Sequence, residues 1–175
     1  VGTIMCMFYF YYQQKISDLA GWQVSLIMLV GSLLNLLAVY LASQIGKKWN
    51  SNRVFPILVA LTGLALLLVF FGTPVAYLSV YLLTNALYAM YQPIYFNDLQ
   101  GYLPSSVRAT MLSINSMMFS LSMIVIFPLT GWFIDNWGLV AVFILLGFLL
   151  LLVFPILVFT LTKMEQMLEK LTKND

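Results

Sequence analysis

Tyrosines and carboxamides share one face of an apolar segment near the middle of the chain. This tyrosine stripe is spaced four, three, four, three and four residues apart and comprises Tyr77, Tyr81, Thr84, Tyr88, Tyr91 and Tyr95. The spacing keeps its members on one face of an α-helix, and Asn85 and Gln92 lie beside them. Because tyrosine hydroxyls against lipid tails would lack hydrogen-bond partners, this face is expected to look toward protein or water.

These side chains could bind a small molecule. The candidate binding residues are Tyr81, Asn85, Tyr88 and Gln92, with Tyr12 and Gln13 from the aromatic end of the first segment. Aromatic faces and neutral amides suit a neutral or weakly cationic amphipathic ligand, through stacking, hydrogen bonds and cation–π contact. They do not suit a phosphate, which Arg or Lys would bind. Ordinary packing between helices is the alternative, and Tyr77 and Tyr95 also fit an aromatic belt at the membrane surface.

The sequence offers few of the groups that enzymes use for catalysis. The chain has no His, which is the commonest general base and metal ligand. Its single cysteine, Cys6, cannot form an internal disulfide. The sequence also lacks a glycine-rich phosphate loop and a close pair of acids inside an apolar segment. We therefore expect no enzymatic activity, no cofactor, no bound metal and no nucleic-acid partner.

The composition places the chain in a membrane. Apolar residues make up 62% and charged residues 8%, with a mean hydropathy of +0.97, whereas about 25% of a soluble domain is charged. Apolar segments recur to the end of the chain, so a secretory signal is not their explanation. Since every backbone polar group in lipid must be paired internally, these segments are expected to be helices. The sequence predicts an all-α, polytopic bundle in the cell membrane, surrounded by lipid.

Six segments are predicted. The first covers about 1–12, half of the roughly 20 residues that a crossing needs, so we expect a fragment cut inside a helix. The others cover 21–45, 54–71, 75–96, 109–134 and 139–162, followed by a charged tail at 163–175. The sequence Gly72-Thr73-Pro74 predicts a tight turn before the fourth segment. The third and sixth segments are apolar all round and are expected to face lipid.

Positive charges indicate the orientation of the segments. If the polar joint at 97–110 is cytoplasmic, then seven of the eight Lys and Arg residues are cytoplasmic, and they are Lys47, Lys48, Arg53, Arg108, Lys163, Lys170 and Lys173. Only Lys15 then lies outside. Loops rich in Lys and Arg stay on the cytoplasmic side, so the C-terminus is expected to be cytoplasmic.

Three polar stretches resemble a known family. The joint reads Asn-Asp-Leu-Gln-Gly-Tyr-Leu-Pro-Ser-Ser-Val-Arg-Ala-Thr, and residues 131–138 fit G-x-x-x-D-x-x-G. Residues 41–48, Leu-Ala-Ser-Gln-Ile-Gly-Lys-Lys, are similar to the superfamily loop L-A-D-R-x-G-R-R, with Ser43 where the acid belongs. Together these stretches resemble the major facilitator superfamily of transporters, in its drug/proton antiporter-like form. The resemblance covers the whole chain and corresponds to helices seven to twelve, the C-terminal half.

The resemblance implies an arrangement and a set of roles. It implies two three-helix repeats, a central cavity lined by the first and fourth segments, and contact between the second and fifth segments and the other half. The gating or loop candidates are Asp98 and Arg108 in the joint, Gly131 and Asp135 near 131–138, and Gly46 and Lys47 near 41–48. Gly131 would permit close helix approach, and Asp135 could pair with helix amides or a mobile cation. A plain interfacial turn is the alternative.

The expected activity is transport of a small organic molecule by alternating access. Proton-coupled efflux of drugs or metabolites is the leading expectation, with the N-terminal six-helix half of the same carrier as the main partner. Uptake of a sugar or nucleoside with a coupling ion is one alternative. A membrane scaffold that no longer transports is another, which Ser43 in place of the acid favours.

Overall fold

All regular elements that the structure describes are helical. The computed structural model describes residues 2–12, 20–102, 104 and 106–172. In chain order the elements are α1 (Gly2–Tyr11), α2 (Gly21–Lys48), α3 (Ser51–Leu67) continued by a 3-10 turn (Leu68–Phe71), α4 (Pro74–Tyr102), α5 (Arg108–Trp137) and α6 (Leu139–Thr172). The predicted all-α class is confirmed.

Four of the described helices are long and apolar enough to cross a bilayer. They are Gly21–Lys47, Ser51–Phe71, Arg108–Trp137 and Leu139–Lys163. The helix α4 has 29 residues, which at 1.5 Å per residue is roughly 43 Å. Its tyrosines and amides make it less apolar than these four. The first helix, α1, is a short apolar helix of 10 residues.

The polar joint is shorter than the sequence predicts. The helix α4 runs through Gly101 to Tyr102, and α5 begins at Arg108. The fourth segment, predicted to end at 96, therefore extends through Gly101 as a helix. A glycine inside a helix costs only about 1 kcal/mol relative to alanine, and a backbone that enters lipid gains from keeping its hydrogen bonds internal.

The bundle is built around α3, α4 and α6. The helix α3 packs along α6 and also against α4, while α1 and α2 pack on α4. The main core draws on α1, α3, α4 and α6 and includes Phe8, Val59, Leu66, Val80, Tyr81, Phe143 and Leu150. Half of the most apolar stretch of α3 is buried. The expectation that α3 faces lipid is therefore only half right, because its apolar residues also form the protein core.

Two glycines in the left-handed region connect the helices. Gly72 has a φ of 64° and ends the 3-10 turn, and α4 then begins at Pro74. The Thr73 hydroxyl accepts a hydrogen bond from the Ala76 N–H at 3.2 Å, which caps the new helix. This confirms the predicted turn. Gly138, with a φ of 81°, makes the single-residue junction between α5 and α6.

Candidate substrate-binding site

Two adjacent cavities lie where α1, α4 and α5 meet. The smaller has a volume of about 300 Å³, and the larger has about 460 Å³. Tyr88 of α4 and Phe119 of α5 line both cavities and form a wall between them. Both volumes fall within the range of roughly 300–1,000 Å³ that is usual for small-molecule sites.

The smaller cavity is lined mainly by aromatic and sulfur-containing side chains. Its lining comprises Met5, Cys6, Tyr9, Phe10, Thr84, Asn85, Tyr88, Phe119 and Met123. The Thr84 hydroxyl donates to the Val80 carbonyl oxygen at 2.7 Å. Because that bond occupies its proton, Thr84 adds little hydrogen-bonding capacity to the cavity. Asn85 therefore supplies the carboxamide in a mostly apolar lining.

The larger cavity is lined by hydroxyls and amides. The polar members of its lining are Thr3, Tyr88, Tyr91, Gln92, Tyr95, Asn115, Ser116, Ser120 and Ser122. The Thr3 and Ser122 hydroxyls lie 2.6 Å apart, and Ser122 donates to the Phe119 carbonyl oxygen at 2.7 Å. Since a hydroxyl has one proton, Thr3 is the donor to Ser122. This bond connects α1 to α5 at the cavity.

A ladder of tyrosines connects the dividing wall to α5. The rings of Tyr88 and Tyr91 are stacked with centroids 6.3 Å apart, and those of Tyr91 and Tyr95 with centroids 5.4 Å apart. The Tyr95 hydroxyl donates to Asn115 Oδ1 at 2.7 Å. The Gln92 amide donates to the Tyr88 hydroxyl at 2.9 Å. Tyr88 is therefore held by a hydrogen bond within α4 and by ring stacking that leads to the Tyr95–Asn115 hydrogen bond with α5.

The structure divides the predicted binding residues into two groups. Asn85, Tyr88 and Gln92 line the cavities. Tyr81 and Tyr12 line neither of the two; their rings stack on each other with centroids 4.1 Å apart, and both are 2% exposed. Their position is the core contact between α1 and α4. Gln13 lies outside the described residues.

The six gating or loop candidates lie in helices. Gly46 and Lys47 are in the last turn of α2, Asp98 is in α4, and Arg108 opens α5. The placement of these residues in loops is wrong, since the helices extend further than their apolar cores.

Gly131 and Asp135 are in the last turns of α5. A Cβ atom at Gly131 would lie 3.2 Å from the Tyr11 hydroxyl, and that hydroxyl donates to the Phe127 carbonyl oxygen at 2.9 Å. Gly131 thus stands where α1 and α5 approach closely. Asp135 is exposed at the end of the same helix.

Sequence reasoning missed the α5 side of the cavities. In the sequence, Ser113, Ser116 and Ser120 form a row of small polar residues on the fifth segment, with Asn115 nearby. Such a row fits a surface that slides against another helix bundle. No sequence pattern marks Thr3, Phe119 or Ser122 as a binding residue. The pairing of tyrosines on one segment with serines on another could have indicated them, since both sets need polar surroundings.

Apolar helices of spanning length, with two partly open cavities where α1, α4 and α5 meet, define a multi-pass membrane protein with space for a small molecule. The sequence profile of the Major Facilitator Superfamily matches residues 2–173. The chain belongs to that superfamily, whose members transport small molecules across membranes. No curated protein and no solved structure matches the chain.

Proposed function

We propose that this chain is the C-terminal six-helix half of a proton-coupled carrier that exports neutral or weakly cationic amphipathic molecules by alternating access. Its partner is the N-terminal six-helix half of the same carrier. In this arrangement α1 and α4 are the seventh and tenth helices, and the cavities between α1, α4 and α5 face the other half.

The observation that carries the proposal is the uncharged lining of the two cavities. No Asp, Glu, Lys or Arg is among the described residues that line them. Tyr88, Gln92 and Asn85 offer aromatic faces and amide hydrogen bonds instead. Such a lining favours a ligand with little or no net charge, because an anion would be left without a cationic partner.

The proposed location of the carrier is the cell membrane, with the C-terminus in the cytoplasm. Lys47 and Arg108 lie at the ends of helices, where their charges reach the headgroup region. The helix α2 lies beside α4 with Ala42 next to Ile94. The late turns of α2 and of α4 therefore lie at the same end of the bundle. Lys47 is in the last turn of α2, and Arg108 follows the end of α4 by six residues, which supports a common cytoplasmic side for both cations.

Transport by the full-length carrier in proteoliposomes tests the proposal. Phenyl β-D-glucoside serves as a neutral probe and N-methylquinolinium as a permanent cation, so neither is trapped by a pH gradient alone. An antiporter accumulates a probe when the lumen is acidic, because protons leave as the probe enters. Accumulation only when the outside is acidic would identify a symporter, and no flux of any probe would favour the scaffold alternative. Empty liposomes are the control.

A further inference from the structure

The two cavities differ in chemistry although they share a wall. The larger, or head cavity, offers the hydroxyls of Ser116 and Ser120 and the amide of Gln92. The smaller, or tail cavity, offers mainly rings and sulfur atoms. Tyr88 and Phe119 stand between them. One ligand that fills both spaces must therefore be polar at one end and apolar at the other.

The head cavity retains hydrogen-bonding capacity. Gln92 gives one N–H to Tyr88, and a carboxamide has a second N–H and an acceptor oxygen. Asn115 accepts from Tyr95 through Oδ1, and its amide nitrogen carries two N–H donors. The Tyr88 hydroxyl accepts from Gln92, so its own proton can go to a ligand. The cavity thus offers both donors and acceptors, as an uncharged head rich in hydroxyls or amides requires.

The tail cavity suits an aromatic or branched apolar group. Met5 is 1% exposed and is fixed in the core next to the cavity. Met123 and Phe119 enclose it from α5. Methionine sulfur makes favourable contacts with aromatic rings, and the unbranched side chain adapts to the shape of a ligand. The Phe10 ring lies edge-on to Phe127 with centroids 5.3 Å apart, which fixes one side of the cavity.

From these contrasts, and resting on the proposed function, we infer that the carrier takes a bipartite neutral ligand. Its hydroxyl- or amide-rich head lies in the head cavity, and its aromatic or branched tail lies in the tail cavity. The Tyr88 and Phe119 rings hold the joint between the two parts. The head is positioned by hydrogen bonds and the tail by burial of apolar surface.

The test measures binding of two radiolabelled probes that share a head to the full-length carrier. Methyl β-D-glucoside has the head alone, and phenyl β-D-glucoside adds an aromatic tail. We expect the unsubstituted carrier to bind the phenyl probe about tenfold more tightly, because the ring leaves water for an apolar pocket. Equal affinities for the two probes would overturn the inference.

Two substitutions on α5 separate the cavities. Met123→Trp fills the tail cavity and should raise the Kd for the phenyl probe about tenfold, while the Kd for the methyl probe stays within about twofold. Ser120→Val removes a hydroxyl from the head cavity and should raise both Kd values, each roughly fivefold. Met117→Trp and Ser113→Val are matched controls, since both residues are exposed on α5 and line neither cavity. If Met123→Trp weakened both probes equally, the tail cavity would not be a separate subsite.

Cys6 gives a second readout that needs no substitution in the site. Its thiol lines the tail cavity, so a bound tail should slow its alkylation by N-ethylmaleimide, followed by mass spectrometry of the Cys6 peptide. At saturation, the phenyl probe should slow labelling about tenfold and the methyl probe by less than about twofold. Equal protection by both probes would overturn the inference. So would labelling that is slow without any probe and accelerates when lipid is removed, since a lipid tail would then be the occupant.

Failure of this inference differs from failure of the proposed function. If the carrier transports N-methylquinolinium but binds neither glucoside, the neutral bipartite ligand is wrong and transport stands. If it transports no probe in either gradient, the proposed function itself is wrong.

Discussion

Gly63 and Gly147 face each other where α3 crosses α6, so closely that neither position has room for a side chain. A Cβ atom at Gly147 would lie 2.9 Å from the Gly63 carbonyl oxygen, and one at Gly63 would lie 3.0 Å from the Gly147 carbonyl oxygen. The contact is therefore between backbones. Small residues allow this approach in membranes, where packing rather than the hydrophobic effect holds helices together.

Gly147→Ala should destabilise the protein. The new methyl group would press on backbone, which cannot move aside as a flexible side chain can, and overpacking of this kind costs about 1–3 kcal/mol. The melting temperature of the purified protein in detergent checks the result. Gly46→Ala is the matched control, because a Cβ there meets nothing within 4 Å and alanine is the better helix former. Equal melting temperatures for the two variants would contradict the close crossing.

Gly131→Ala should be more destabilising when Tyr11 keeps its hydroxyl than when it does not. The added Cβ would lie 3.2 Å from that hydroxyl and would disturb its hydrogen bond to the Phe127 carbonyl oxygen. In a Tyr11→Phe background the space is free, so the same change should cost less. A double-mutant cycle on melting stability should give a coupling of about 0.5–3 kcal/mol. Additive effects would mean that the two residues do not interact.

The sequence predicts helices and turns well because those depend on local chemistry. The apolar runs, Gly72 and Pro74 all act within a few residues of themselves. The sequence does not predict which residues pack against a given helix face. Tyr81 and Tyr88 share one face of α4, yet Tyr81 is covered by the ring of Tyr12, whereas Tyr88 lines both cavities. Periodicity places a residue on a face but does not say which residue of another helix lies opposite.

The same limit applies to the core between α3 and α6. Gly63 and Gly147 are single glycines in long apolar runs, and no local pattern pairs them. Uniform apolarity fits lipid and protein surroundings equally, because lipid tails are as apolar as leucine. The expectation that α3 faces lipid therefore failed for its buried half, and only the three-dimensional packing distinguishes the two surroundings.

Tyr88→Ala should impair transport more than Phe148→Ala. Tyr88 lines both cavities, whereas Phe148 is 56% exposed on α6 and lines neither. The loss of one stacking and hydrogen-bonding group costs on the order of 1 kcal/mol, which is roughly a fivefold loss in kcat/KM. Initial rates are compared in proteoliposomes at equal protein content. Similar losses in both variants would assign Tyr88 to packing instead of binding.

Lys47 and Arg108 should lie on one side of the membrane and Lys15 on the other. This is the arrangement that keeps seven of the eight cations together. Single cysteines at the three positions, in a Cys6→Ser background, are treated with an impermeant thiol reagent on intact cells. Only the cysteine at position 15 should react until the membrane is opened. Labelling of all three from outside would refute the topology.

A proton-coupled carrier needs a titratable group that each side of the membrane reaches in turn. A charge near the bilayer centre costs about 2.5–3.5 kcal/mol on insertion scales, so an acid there persists mainly where it has a role. Residues 21–46, 54–97, 109–134 and 136–162 contain no Asp, Glu, Lys or Arg. Asp98 lies near the C-terminal end of α4, and Asp135 lies in the last turn of α5. Neither residue lines a cavity. If transport is proton-driven, the coupling acid is therefore expected in the proposed N-terminal half of the carrier.

Asp98→Asn and Asp135→Asn should then leave the response to a pH gradient intact. Both changes keep the size of the side chain and remove its charge, so they can slow transport by disturbing the helix ends without removing a proton site. Uptake of the permanent cation N-methylquinolinium is measured with and without an acidic lumen. The ratio of the two uptake rates should match that of the unsubstituted carrier. A variant that still exchanged the probe downhill but ignored the gradient would place the coupling site in this half, since exchange without a response to the gradient is the behaviour expected when the proton-carrying group is lost.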